Sequence, residues 1–204
     1  MIIFKSMLDF NLYFKLGIDH ILTWEAMDHI LFVAALCLRY TWKDWRKVAV
    51  MVTAFTIGHS ITLALSTLGI LHMNTKWIEF LIPVTIICTA VNNLLQKPGT
   101  TNRKLPLIYF FALFFGMIHG MAYATTLLSL EGTEGLVPHL FAFNLGIEVA
   151  QLLVVAVVLA LSHLAVNIIK LPAQRWLQVI SIIILIFSCK MAFERLPELY
   201  LKTS

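Results

Sequence analysis

Charge is what this chain has least of: 13% of its 204 residues are Asp, Glu, Lys or Arg, against roughly 25% in a soluble domain. With 60% hydrophobic residues beside that figure, a water-soluble globular fold is excluded. Cysteine is sparse too. Cys37, Cys88 and Cys189 lie far apart, each in an apolar run, so no C-x-x-C pair is present to build a zinc ribbon or a dithiol redox centre. Met1 to Lys15 has no long apolar core followed by a small-residue cleavage site and does not read as a signal peptide. Residues 1–23 instead mix Lys5, Asp9 and Asn11 with apolar side chains, the pattern of an amphipathic segment lying along a membrane surface. The net charge of +4 does not imply nucleic acid, because Lys and Arg fall mostly in short loops between apolar runs, where they signal topology.

What remains is long apolar runs, and about 20 such residues cross a bilayer as a helix. The expected fold is therefore all-α: one integral membrane domain over 1–204, a polytopic bundle of about six spans. Their expected limits are 24–40, 48–71, 77–95, 106–130, 137–169 and 176–193. Thr23 is the expected N-cap of the first. The linker Gln96 to Leu105 and the acidic turn Glu131 to Gly135 separate later spans. Loops after the first, third and fifth spans carry Arg39, Lys43, Arg46, Lys47, Lys97, Arg103, Lys104, Lys170 and Arg175. Those after the second and fourth hold only Lys76 of the basic residues, so both termini are expected outside.

Ionisable residues inside such runs are costly and call for a reason. Asp28 and His29 adjoin near the start of the first span, and His59, His119 and Glu148 sit within later ones. At 1.5 Å of rise per residue all fall in the middle or outer half, which suggests one shared cation site. Asn144, Glu148 and Gln151 form a stripe at i, i+4, i+7, while His119 shares a face with Tyr123, and His59 adjoins Ser60 and lies near Thr56 and Thr62. Polar faces of this kind should turn toward the bundle interior. His20 is a separate case: on a straight helix it would stand about 180° from His29 and about 13 Å away along the axis. It can join the site only if the chain bends near Thr23. His72, His139 and His163 fall at span ends or late in a span and read as interfacial or packing residues. Imidazole with carboxylate suits nickel, cobalt, zinc or ferrous iron, and the absence of aligned Cys or Met argues against cuprous copper.

Four blocks, Asp28-His-Ile-Leu-Phe-Val33, Thr53 to Leu65 with its Gly58-His59-Ser60, Phe115-Gly-Met-Ile-His-Gly120 and Phe143-Asn-Leu-Gly-Ile-Glu-Val-Ala-Gln151, resemble the HupE/UreJ family of small membrane proteins. The resemblance covers roughly Gly17 to Leu161 and implies nickel uptake across a bacterial inner membrane. It also implies metal-site roles for His20, Asp28, His29, His59 and His119, with Asn144, Glu148 and Gln151 in the last block. One departure is visible: seven residues separate His20 from Asp28, where the family typically has about five.

Two functions from different classes fit these residues. In a nickel or cobalt permease, Asp28, His29, His59, His119, Glu148 and His20 would bind the ion, with Asn144, Gln151, Ser60 and Tyr123 behind them. In a membrane-embedded hydrolase the same site would activate water on nickel, cobalt or zinc, with Asp28 or Glu148 as general base. An accessory subunit with a structural metal is a third reading. The expected partners are the metal ion and the lipid bilayer, with homo-oligomerisation left open. Asn92 and Asn93 are the only obvious polar candidates for an inner exit.

Overall fold

The computed structural model describes residues 2–71, 73–95, 105–130 and 136–200, with side chains over 9–24, 26–71, 73–95, 108–123 and 137–199. His72, the acidic turn Glu131 to Gly135 and nearly all of the linker from Gln96 lie outside the described residues.

The described residues form seven α-helices: α1 (Ile2–Leu22), α2 (Met27–Cys37), α3 (Trp45–Thr67), α4 (Thr75–Leu95), α5 (Leu105–Leu130), α6 (Leu136–His163) and α7 (Ala173–Tyr200). Four stretches, Trp42–Thr67, Thr75–Leu95, Val137–Ile168 and Ala173–Leu199, are long and apolar enough to cross a membrane. Asp9–Leu22 and Met27–Cys37, bent by 70° relative to one another, pass the same test only when taken together, as a broken span or a re-entrant loop. The 26-residue α5, apolar over Ile108–Tyr123, accommodates a sixth crossing. The chain is an all-helical, polytopic membrane protein.

The first span differs from the expected 24–40. Its α2 portion has 11 residues, about 16 Å at 1.5 Å each, too short for a core of about 30 Å. A full crossing at this point would need α1 as well, and residues 2–22, expected along the membrane surface, form a helix that packs on α6. The break has a local cause. Thr23 is extended, at φ −77° and ψ 156°, and makes no side-chain cap bond, while Trp24–Ala26 is a single 3-10 turn that restarts the helix in a new direction.

Two helix pairs meet backbone to backbone at glycines. A Cβ on Gly116 would strike the Phe55 carbonyl, and one on Gly58 the Leu113 carbonyl, so α3 and α5 can approach only because both lack side chains. Gly17 and Gly146 serve the same purpose between α1 and α6, against Phe143 and Phe14. Small residues replace the hydrophobic driving force that lipid cannot supply between spans. Thr62 adds a bond across the first pair, donating to the Met117 carbonyl at 2.8 Å. α4 pairs with α7, and α2 lies between α4 and α6. These contacts bring the C-terminal end of α1 and the N-terminal end of α2 to the faces of α3 and α5 that carry His59 and His119.

Because the atoms facing Gly116 are backbone, they cannot swing aside. Gly116→Ala is expected to cost about 1–3 kcal/mol, read as a lower melting temperature in detergent. Leu153→Ala, at an outward-facing position, is expected to leave the melting temperature near that of the wild type. Equal values for the two variants would contradict this packing.

Candidate metal centre

The break at Thr23 turns α1 and α2 so that His20 and His29, nine residues apart, come together with ring centroids 4.9 Å apart. His59, fully buried on α3, completes the group, with ring centroids 5.8 Å from His20 and 5.9 Å from His29. One ligand nitrogen from each of these three residues lies within 4.8 Å of the other two. His119 on α5 stands beside them, 5.0 Å from the His29 ring and with Nε2 3.3 Å from the Thr85 hydroxyl on α4.

These imidazoles share an unusual condition. His20 Nε2, His29 Nε2 and His119 Nδ1 are buried with no hydrogen-bond partner among the described residues, and neither His59 nitrogen meets one in hydrogen-bond geometry, although the Asn144 side chain faces that ring. Orphaned buried polar atoms are rare in folded proteins, since each forgoes a bond it would make in water. So many converging in one place fit an electron-pair acceptor, and a divalent transition metal is the acceptor that imidazole prefers.

Asp28 sets the chemistry of His29. Its Oδ1 lies 2.9 Å from His29 Nδ1 and also accepts the His29 backbone N–H at 2.8 Å. A carboxylate only accepts, so Nδ1 carries the proton and Nε2 turns its lone pair to the cluster. Asp28 thus orients a ligand, and its charge lies close enough to offset that of a cation.

The other Asp28 oxygen is 3.5 Å from Arg195 Nη2 on α7. Arg195 is held there by α4, because Nη1 donates to the Glu79 carbonyl at 2.7 Å. Pro83, inside α4, supplies no N–H to the carbonyl four residues earlier, and that carbonyl is Glu79's. The proline therefore creates the acceptor on which the arginine hangs. Nothing in the local sequence singles out Arg195; the Glu79 to Pro83 spacing is the available sign of a free carbonyl in search of a donor.

A cavity of about 560 Å³ reaches the cluster, lined by Asp19, His20, Asp28, His29, Glu79, His119 and Tyr123 among others. Its three carboxylates make the approach attractive to cations. Tyr123 packs at 4.1 Å on the His20 ring and stacks on Phe143, forming one wall.

The α6 stripe goes elsewhere. Glu148 accepts a bond from Thr53 at 2.5 Å, and the Gln151 carbonyl oxygen one from Thr56 at 2.8 Å. Thr53 precedes His59 by six residues, about 9 Å along the helix axis. The structure thus does not bring Glu148, expected as a ligand, to the triad, and Gln151 tethers α6 to α3 below it. Asn144 is the exception: it donates to its own Leu140 carbonyl, and its side chain faces the His59 ring. Ser60 donates to the Thr56 carbonyl within α3 and does not reach the cluster. Of the remaining histidines, His139 stacks on Tyr13 and His163 bonds Asn167.

Fold and site together define a polytopic helical membrane protein with a histidine cluster buried inside the bundle. The family described as HupE / UreJ protein matches residues 2–195, and the chain belongs to that family, which is associated with nickel uptake. No curated protein and no solved structure matches the chain.

The geometry ranks the side chains by their effect on nickel binding, measured by titration calorimetry in detergent. His29→Ala and His59→Ala are expected to abolish binding. Asp28→Asn, which removes the charge behind a ligand, should weaken it about 10- to 100-fold, whereas Glu148→Gln should leave it within about threefold. A Glu148 effect equal to that of His29 would overturn this order.

Proposed function

We propose that the protein is a permease for a divalent transition metal, nickel or cobalt, which it takes up as cargo at the His20, His29 and His59 cluster. The observation that carries this reading is the set of unpartnered imidazole nitrogens at the end of an acid-lined cavity. Asp19 and Glu79 would draw the hydrated cation in, and the histidines would replace part of its water shell. Asp28 would supply the charge that offsets its desolvation. Three neutral ligands with a cavity alongside favour exchange over permanent retention, as a carrier requires. His119, next to the triad and bonded to Thr85, is the group to which the ion would pass next. With Arg39 to Lys47 on the cytoplasmic side, as the positive-inside pattern expects, the acid-lined cavity would open at the outer face.

Each imidazole must be unprotonated to bind a metal. Affinity is therefore expected to fall as pH is lowered, so that protons entering the site would help release the ion. The test is nickel uptake into proteoliposomes containing an internal metal-sensitive dye, with and without a proton gradient. Saturable uptake, lost in His29→Ala, is expected. If instead the purified protein holds about one ion per chain through a chelator wash and moves none, the membrane-hydrolase reading replaces this one.

A further inference from the structure

A carrier also needs a way out, and one face of α4 carries a continuous polar stripe toward its C-terminal end. Ile82 lines the outer cavity. Thr85, 4% exposed, follows one turn on and touches His119 Nε2. Thr89 comes a further turn down, and Asn93, 2% exposed, one turn beyond it. Thr89, Asn92 and Asn93 line a second cavity of about 250 Å³, together with Arg39, Tyr40, Cys88 and Phe115. From Thr85 to Asn93 the stripe covers about 12 Å of axis.

The hydroxyls on this stripe are donors to their own helix, Thr85 to the Ile82 carbonyl at 2.7 Å and Thr89 to the Thr85 carbonyl at 2.8 Å. Asn93 spends its amide N–H on the Ala35 carbonyl of α2, at 2.7 Å. With their donors engaged, these groups have oxygen lone pairs left to offer, the polarity a passing cation requires. Among the described residues the lower cavity is lined by no carboxylate, and Arg39 is the one charged residue there. It therefore cannot retain a dication as the carboxylate-lined outer cavity can. Six waters at about 30 Å³ each occupy roughly 180 Å³, so a rehydrated ion fits.

Between the two cavities stands a plug of rings. Phe32 and Phe55 lie 5.0 Å apart and Phe32 and Phe115 5.7 Å apart, and both Phe32 and Phe55 pack on the His119 ring, at 5.3 and 5.1 Å. Phe115 lies one turn before His119 on α5 and lines the lower cavity, so it stands between that cavity and the histidines.

We infer that Thr85, Thr89 and Asn93 form the inner half of the ion pathway, that the lower cavity is its release vestibule, and that Phe32 and Phe115 close it while the metal sits on the histidines. This inference rests on the permease reading. The test uses Cys88, which is exposed and lines the vestibule. With Cys37→Ser and Cys189→Ser in place, a cationic, membrane-impermeant methanethiosulfonate should modify Cys88 only from the side bearing Arg39. Modification should cut nickel uptake at least tenfold while leaving nickel affinity within about threefold. Thr89→Val should act likewise, and Thr89→Ser should restore uptake. Reaction of Cys88 from the opposite side, or full uptake in both the modified protein and Thr89→Val, would overturn the vestibule while leaving His29-dependent uptake standing. Absence of uptake in the unmodified protein would instead overturn the permease reading, and the inference with it.

Discussion

Buried imidazole nitrogens without partners are the constraint on which the rest of this molecule depends. In a membrane interior such groups cannot turn to bulk water, and a fold that gathers them from α1, α2, α3 and α5 gives up hydrogen bonds it could have made. Packing alone offers no compensation for that arrangement. A metal ion does, because it accepts several lone pairs at once and brings a positive charge that Asp28 can face.

The means of gathering them is close backbone contact. Gly58 and Gly116 let α3 and α5 touch, which puts His59 and His119 on neighbouring turns. Gly17 and Gly146 hold α1 against α6, so that the bend after Leu22 delivers His20 rather than displacing it. The same economy appears at Pro83, whose missing N–H frees the Glu79 carbonyl for Arg195 and so sets a fixed cation beside Asp28. That guanidinium stands 3.5 Å from the carboxylate. A bound dication would compete with it for the same charge.

Much of this was legible in residue order. Apolar runs broken by basic loops gave the helices, and polar residues inside them pointed to the cluster, because charge in hydrocarbon is rarely accidental. The requirement that the chain bend near Thr23 if His20 is to reach His29 followed from helical geometry alone. What could not be read was rotation and depth. Glu148 shares the approximate depth of His59 when counted from helix ends, yet α6 presents it to Thr53, about 9 Å away from His59 along α3. Arg195 was hidden because its link to Asp28 runs through a carbonyl more than a hundred positions earlier. The packing of α1 on α6 was not legible either, because a glycine contact between distant helices leaves no local periodicity. On the inner half of α4 only Asn92 and Asn93 stood out, because threonine is neutral and weakly polar, and only packing shows that Thr85 touches His119.

The account stands or falls on the ligand set. X-ray absorption at the nickel edge, on purified protein loaded with one equivalent of nickel, counts the imidazoles around the ion and detects any sulfur. The account predicts three imidazoles and no sulfur, with one imidazole lost in His20→Ala, the residue that joins only through the bend. A spectrum without imidazole scattering, or one unchanged in His20→Ala, would contradict it.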